Sequence, residues 1–474
     1  MERAEAEAIL DGDRETALGL LMGLGELVEA NRRLEARVSE LERRLGRNSR
    51  NSSTPPSQDP PGAPERKRAS TEGREPGGQP GHPGHGRRFV PVERVDEVVE
   101  HWPECCGCGH LFSELERDPV GEPARHQVFE LPPIAVVVFE HWLHRLRCPG
   151  CGATARAKLP AGVPSGSFGP RLEAAVATLS VRNRVSRRDL VELMGELFGC
   201  SLSSGTVDAI VQRTGEALAA PYQDLLGHIR AAPAVNIDET GWRLRGAKRT
   251  LWGAFTTSAA LLRIAPDRHE RELQALLGET FDGTCCSDRW WAYNTLDPEK
   301  RQVCWSHLIR DFTSHAEGMA AQKAFGEAGL LITERLFKAW HQFRHDSDRA
   351  ALKRAIAPVK RELRTLLQQA ARRNARNRYH RSFANNLLKI WPALWTFTTV
   401  PGVEPTNNAA ERGLRGAVIY RKLSFGSQSE QGEQTIERLL SVSQTCRLQH
   451  RSLFAYLTDL LTAHARGDPI PLLA

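Results

Sequence analysis

Val235-Asn236-Ile237-Asp238-Glu239-Thr240-Gly241-Trp242 and, further on, Thr284-Cys285-Cys286-Ser287-Asp288 are the stretches that decide how this chain folds. From Ala231 onward the pattern is one of strands: Ala234 to Ile237, Leu251 to Thr257, Ala260 to Ala265 and Gly283 to Ser287, each bounded by turn or charged residues. Two of them end in an aspartate. A buried strand holds a carboxylate rigidly, and carboxylates from separate elements suit a hard divalent cation that takes oxygen ligands and keeps several waters. Two such ions about 4 Å apart clamp the attacking and leaving oxygens of an in-line displacement at phosphorus. That chemistry needs a third acid, and among 57 acidic residues composition cannot choose it. Read alone, Asp238 also fits the start of the Glu239-Thr240-Gly241 turn, and Asp288 fits the cap of a helix beginning Arg289-Trp290-Trp291.

Upstream, Pro170 to Pro221 has helical spacing, with Leu190, Leu193, Met194 and Leu197 on one face, a turn at Gly199-Cys200-Ser201, and Ser203 or Ser204 as N-cap of the next helix. This is a helix-turn-helix whose second helix enters a major groove, or an ordinary helical hairpin; Arg182, Arg184, Arg187 and Arg188 beside it favour DNA. Before it stand Cys105-x-x-Cys108 and Cys148-x-x-Cys151, two knuckles of the kind that close a tetrahedral thiolate site for structural zinc. Cys106 and His110 are substitute ligands, and a redox pair is the rival reading. Val95 to Val99 and Ile134 to Phe139 are β-branched segments beside the knuckles.

Arg47 to Arg88 is Pro, Gly, Ser and Arg with almost no large apolar residue, so it reads as a flexible basic linker, either a spacer or an arm that touches DNA phosphates. It includes Asn51 to Ser57 and Gly77 to His85. At the start, Leu20, Leu24, Leu27, Asn31, Leu34, Val38, Leu41 and Leu45 follow the alternating spacing of a heptad seam. Asn31 at an a position, and Arg37 facing Glu42 of a partner, favour a parallel homodimeric coiled coil over a helix packed on its own chain.

Lys and Arg number 64 against 57 Asp and Glu, and the pI near 9.0 points mildly to a polyanionic partner. The N-terminus lacks a basic region followed by an apolar one, and no apolar run reaches the roughly 18 residues of a membrane span. The chain therefore reads as soluble, cytoplasmic and nucleoid-associated, with its ten cysteines as thiols and metal ligands.

Five ordered motifs set a context for the acids. They are Asn236 to Trp242, Ser287-Asp288-Arg289-Trp290, Cys304 to Phe312, Thr406-Asn407-Asn408-Ala409-Ala410-Glu411-Arg412, and Arg421-Lys422-Leu423-Ser424-Phe425-Gly426-Ser427. Together they strongly resemble the DDE transposase of the bacterial insertion-sequence family numbered sixty-six, and the linker and paired knuckles resemble its N-terminal half. The resemblance implies a catalytic triad of Asp238, Asp288 and Glu411, separated by 288 − 238 = 50 and 411 − 288 = 123 residues. The second interval holds the amphipathic segment from Ala316 to Trp395, which matches an inserted helical domain. Arg372, Arg373, Arg376, Arg378 and Arg381 within it form a run that follows a DNA backbone or a solvated helix surface. His307, Arg310 and Arg412 are accessory phosphate contacts, His307 having a structural histidine as its plainer reading.

The expected fold is multidomain α+β: a ribonuclease-H-like α/β core interrupted by a helical insertion, preceded by a coiled coil, a zinc-ribbon-like module and a helix-turn-helix-like domain. Its expected parts are a coiled coil (1–46), linker (47–92), zinc module (93–165), helical DNA-binding domain (166–230), core (231–315), insertion (316–398) and core again (399–474). The expected cofactors are Mg²⁺ or Mn²⁺ at the carboxylates and structural Zn²⁺. The expected partners are double-stranded DNA at element ends and target, a second copy of the chain, and small accessory transposition proteins. A non-catalytic DNA-binding regulator derived from a transposase is the alternative; a tyrosine recombinase using Tyr420 is a weaker one.

Overall fold

The computed structural model describes residues 14–45, 87–164, 166–318, 320–372 and 378–473. The linker segments 51–57 and 77–85, with Arg373 and Arg376, lie outside these residues, and of Arg378 only the backbone is described. No described helix is long and apolar enough to cross a membrane.

Helix α1 (Arg14–Leu45) carries the heptad positions Leu27, Asn31, Leu34 and Val38 exposed along its length. Strands β1 (Arg145–Arg147) and β2 (Thr154–Arg156) form an antiparallel hairpin around the Cys148-to-Cys151 turn. The β-branched segments 95–99 and 134–139 join no ladder; Val98, Val99, Val137, Val138 and Phe139 are exposed. Side-chain preference for a pleated surface forms a strand only where a partner strand supplies hydrogen bonds.

The central sheet is built from β3 (Ala234–Leu244), β4 (Ala247–Phe255) and β5 (Ala260–Ala265), an antiparallel meander, and from β6 (Thr284–Ser287) and β7 (Arg301–Val303), which run parallel to β3. Its order is β5-β4-β3-β6-β7. The sequence suggested that β3 stops near Asp238, but it continues to Leu244. Arg245 and Gly246, at φ of 47° and 85°, make the tight reversal into β4, since both central positions of such a hairpin turn need positive φ. Trp242, fully buried and stacked on Tyr420, pins the far end of β3, with its indole nitrogen donating to Ser427 Oγ at 3.2 Å.

Before the sheet come α2 (Pro170–Val181), α3 (Arg187–Phe198), α4 (Ser204–Ala217) and α5 (Ala219–Ala231). Ser203 caps α4 by accepting from Thr206 N, as its position suggested. After β5 comes α6 (Glu270–Leu277), and after β7 comes α7 (Trp305–Ala316). Helices α8 (Ala320–Asp346), α9 (Arg349–Ala371) and α10 (Arg378–Lys389) follow. Their buried Leu336, Ile356, Leu363 and Phe383 share one apolar core with Trp305, Leu308 and Phe312 of α7.

Three helices complete the chain: α11 (Asn408–Ser424), α12 (Glu430–Leu448) and α13 (Leu453–Arg466). Helix α12 covers the outer edge of the sheet, where Thr445 Oγ1, Ser441 Oγ and Glu437 Oε2 accept from the N–H groups of Ala260, Leu262 and Ile264 at 3.0, 2.8 and 2.9 Å. This satisfies an edge strand that would otherwise offer itself to another chain.

Candidate active site

The β3/β6 register places the two aspartates. Ala234, Val235 and Asn236 pair in parallel with Thr284, Cys285 and Cys286, and two residues beyond the last pair stand Asp238 and Asp288, at the same level on neighbouring strands. The antiparallel register on the other side sets Asp238 opposite Gly253. Helix α11 crosses at this point: a Cβ on Gly253 would come within 2.8 Å of Leu414, and one on Gly413 within 2.3 Å of the Phe255 ring. Only glycines allow so close an approach, and it carries Glu411, in the first turn of α11, to the Asp238 side of the sheet.

Asn407 fixes the start of that helix. Fully buried, it donates from Nδ2 to Ile237 O at 2.6 Å and from its backbone N–H to Cys304 Sγ at 3.1 Å. The acid-bearing strand, the start of α7 and the entry to α11 are thus joined through one residue, by its side chain to the strand and by its backbone N–H to Cys304.

Burial pushes the Asp238 carboxyl up to about 8, helped by the negative charges of Glu239, Asp288 and Glu411. All three sequence-predicted acids therefore interact. The neighbouring Glu239 has a side chain only 1% exposed, and burial raises it too. It is fully engaged: Arg268 Nε donates to Oε1, and Tyr293 Oη donates to Oε2 at 2.7 Å. The same guanidinium reaches Asp288 Oδ2 from Nη2 at 3.1 Å, while Asp288 Oδ1 accepts from Trp290 N at 2.8 Å. This is a turn bond and not the helix cap its sequence suggested: no helix begins at Arg289, and the short 3₁₀ turn Trp291–Thr295 has Trp290 as its N-cap with no side-chain capping bond. Among the described residues no three His, Cys, Asp or Glu side chains are gathered tightly enough to form a ready-made metal cage.

His307 and Arg310 lie in the first turns of α7. Burial, then the charge of Arg310, depresses the His307 imidazole to about 4, so it is neutral near pH 7; its Nδ1 is buried without a hydrogen-bond partner. Asp288, Arg268 and Arg289 also act electrostatically on it, which ties it to the acidic site. Arg412 is exposed beside Glu411 and lines a polar recess with Trp340, His341, Arg344 and Asn408. Arg187 is engaged by Asp208 Oδ1 at 3.2 Å, by Ser180 and by the Tyr420 hydroxyl, whereas Arg188 and Arg372 are exposed. Tyr420, buried and stacked, is poorly presented as a nucleophile.

All five cysteines of the knuckles are exposed free thiols. Backbone N–H groups of Cys151 and Gly150 lower the Cys148 thiol. In the first knuckle it is Cys106 that is lowered, by backbone and side-chain bonds from Cys108. His110 Nε2 lies 3.2 Å from Glu116 Oε1.

Sequence reading missed Glu239, Arg268, Tyr293 and the anchoring role of Asn407. Asn407 stood inside a quoted motif, and strict strand alternation puts Glu239 on the face opposite Asp238. Arg268 lies in a loop whose sequence carries no periodicity.

A model of the Transposase IS66 family matches residues 165–435, and one described as the zinc-finger binding domain of transposase IS66 matches residues 103–152. A family of unknown function matches residues 2–88. Two similar proteins of Sinorhizobium fredii are themselves uncharacterised: y4jD is 25% identical over 413 residues, covering 80% of this chain and 79% of its own. The other, y4hP, is 25% identical over 418 residues, covering 78% and 72%.

Proposed function

This chain belongs to the Transposase IS66 family, and on that premise we propose that it cuts and joins DNA by metal-dependent phosphodiester chemistry at Asp238, Asp288 and Glu411. The observation that carries the proposal is that Asp238 on β3 feels the charges of both Asp288, just beyond β6, and Glu411 on α11. Such crowding of hard oxygen donors, with the Asp238 proton held to about pH 8, is the electrostatic setting that a divalent cation relieves. The sheet order, with three antiparallel strands, two parallel ones and a helix laid across the centre, supports a ribonuclease-H-like core into which α8 to α10 are inserted.

When bound, Mg²⁺ or Mn²⁺ supplies the Lewis acidity that activates water and stabilises the leaving oxygen. Asp238, Asp288 and Glu411 would hold it, Asp238 in its ionised form. Asn407 sets the height of Glu411 over β3. Neutral His307 and cationic Arg310 and Arg412 meet the phosphate flanking the scissile bond. Hydrolysis at an element end frees a 3′-hydroxyl, which the same site directs at a target phosphodiester, with no covalent enzyme intermediate.

The zinc-finger match supports structural Zn²⁺, for which the sequence offers Cys105, Cys108, Cys148 and Cys151, with Cys106 as the substitute ligand in the first knuckle. The exposed seam of α1 supports pairing of two copies, so that two element ends are handled together. Exposed Arg188 and Arg372 are available to DNA phosphates, with Arg373, Arg376 and Arg378 continuing the second run. Arg187, already engaged, acts by supporting its helix. Small accessory transposition proteins are a further partner that the family resemblance suggests.

Asp238→Asn is the test. It is expected to abolish Mg²⁺-dependent cleavage of a labelled element end while leaving binding of the same DNA nearly intact. Retained cleavage would falsify the assignment; wild-type protein that binds the end and never cuts it points instead to a non-catalytic regulator.

A further inference from the structure

Asp288 is held by the protein at both oxygens, and the two bonds differ in kind. Oδ1 accepts from the backbone N–H of Trp290 at 2.8 Å, a fixed feature of the turn after β6. Oδ2 is held by Arg268 Nη2 at 3.1 Å, through a side chain that is 34% exposed and so has room to move. Arg268 has independent anchors. Its Nε pairs with buried Glu239, its guanidinium lies 4.3 Å from the centre of the Trp290 ring, and its carbonyl accepts from Trp290 Nε1 at 3.0 Å. Glu239 is itself braced by Tyr293. Letting go of Asp288 therefore costs Arg268 one contact out of several, while the buried Glu239 keeps its counter-charge.

We propose that Arg268 is a resident counter-cation of the active site: it neutralises Asp288 in the unloaded protein and yields that carboxylate when a divalent cation binds. The inference rests on the reading of Asp288 as a metal-holding carboxylate. Its logic is competition between two cations for one oxygen. A guanidinium in contact with a carboxylate stabilises the charged form, and the same contact opposes a second positive charge at that oxygen. Arg268 thereby offsets the Asp288 charge before loading, and it raises the metal concentration needed to load the site. Arg268 is a positioning residue in this scheme, since it acts through Asp288 and Glu239.

The test is Mn²⁺ titration of the full-length protein, purified without chelator, with free Mn²⁺ counted by electron paramagnetic resonance and Asp238→Asn as the blank for other sites. Arg268→Gln is expected to bind Mn²⁺ about tenfold more tightly than wild type, the scale of one adjacent charge on an ionisation equilibrium. Arg268→Lys keeps the charge but not the fork that reaches Glu239 and Asp288 together, so its affinity is expected to fall between those of wild type and Arg268→Gln. With no added divalent cation Arg268→Gln is expected to melt below wild type. Should Arg268→Gln not fold, Glu239→Gln/Arg268→Gln removes both partners of the buried pair and gives the same reading of affinity. Equal or weaker Mn²⁺ binding after loss of the charge overturns the inference alone. Wild-type binding no stronger than Asp238→Asn overturns the reading of the site itself.

Discussion

Asp238 and Glu239 are consecutive in one strand, both are raised by burial and by the charge of Asp288, and they differ in that only Glu239 has a cation and a hydroxyl against it. Asp238 faces α11, across from Gly253, and the charges that raise its pKa are all negative: Glu239, Asp288 and Glu411. Glu239 lies across from the buried Trp252, whose ring meets Tyr293 edge-on at 6.2 Å, and its charge is offset by Arg268 and the Tyr293 hydroxyl. A buried carboxylate that is paired and hydrogen-bonded braces a fold; one crowded by like charges is held ready for a cation from solution. Of two adjacent acids, the second is engaged by the fold, and the first is the one to which the proposed function assigns the chemistry.

The sharpest way to break this contrast is to neutralise one acid on each face. Glu411→Gln is expected to lower the single-turnover rate of end cleavage by on the order of 10³-fold, about 4 kcal/mol of transition-state stabilisation, with little change in melting temperature. Glu239→Gln is expected to show the reverse, a drop in stability with a much smaller loss of rate. Equal effects of the two on rate would erase the distinction between the faces. A second test removes proximity and leaves every charge in place. Gly413→Val drives a side chain into the Phe255 ring, so α11 must lift off the sheet, at a cost of about 2 kcal/mol in urea unfolding and with loss of cleavage. Normal cleavage in that variant would show that the approach of α11 does not deliver Glu411.

A gentler probe is pH. Unfolded, Asp238 titrates near 3.8; in the folded, cation-free protein it titrates near 8, so the folded state binds the extra proton between those values. Stability is therefore highest at the acid end of that window and falls as pH climbs through it. Melting temperatures measured from pH 5 to pH 8.5 without divalent cations are expected to decline, most clearly above pH 6.5, where the opposing contribution of His307, depressed to about 4, is complete. Asp238→Asn is expected to flatten part of the slope, with Glu239 and Glu437 acting in the same direction as Asp238. An unchanged slope in that variant would remove Asp238 from the crowded cluster. The smallest effect belongs to Tyr293→Phe, which deletes one hydrogen bond to Glu239 and is expected to cost about 1 kcal/mol with cleavage nearly intact.

Much of this was legible in the residues. The strands carrying Asp238 and Asp288, the helices around the Ser203 cap and the amphipathic helices after Ala316 all follow from local spacing, because burial of one face imposes its period on the sequence. The length of β3 was not legible, since its continuation past Asp238 depends on the Arg245-Gly246 reversal and on Trp242 being buried under α11. Glu411 was named through resemblance alone: an exposed glutamate in the first turn of a helix has no local mark of function. Arg268 and Glu239 were invisible for a related reason. Periodicity tells which face a residue takes, and only the folded chain tells which charge awaits it there. The segments 95–99 and 134–139 show the converse, strand-like residues for which no ladder forms.

The most direct measurement loads Fe²⁺ into the full-length protein in place of Mg²⁺ and, with ascorbate and peroxide, maps where locally generated radicals cut the chain. If three distant acids share one cation site, the cuts cluster near residues 238, 288 and 411, fade as Mg²⁺ is added, and vanish in Asp238→Asn. Cuts confined to the cysteine knuckles, or scattered without regard to Mg²⁺, would contradict a shared carboxylate site.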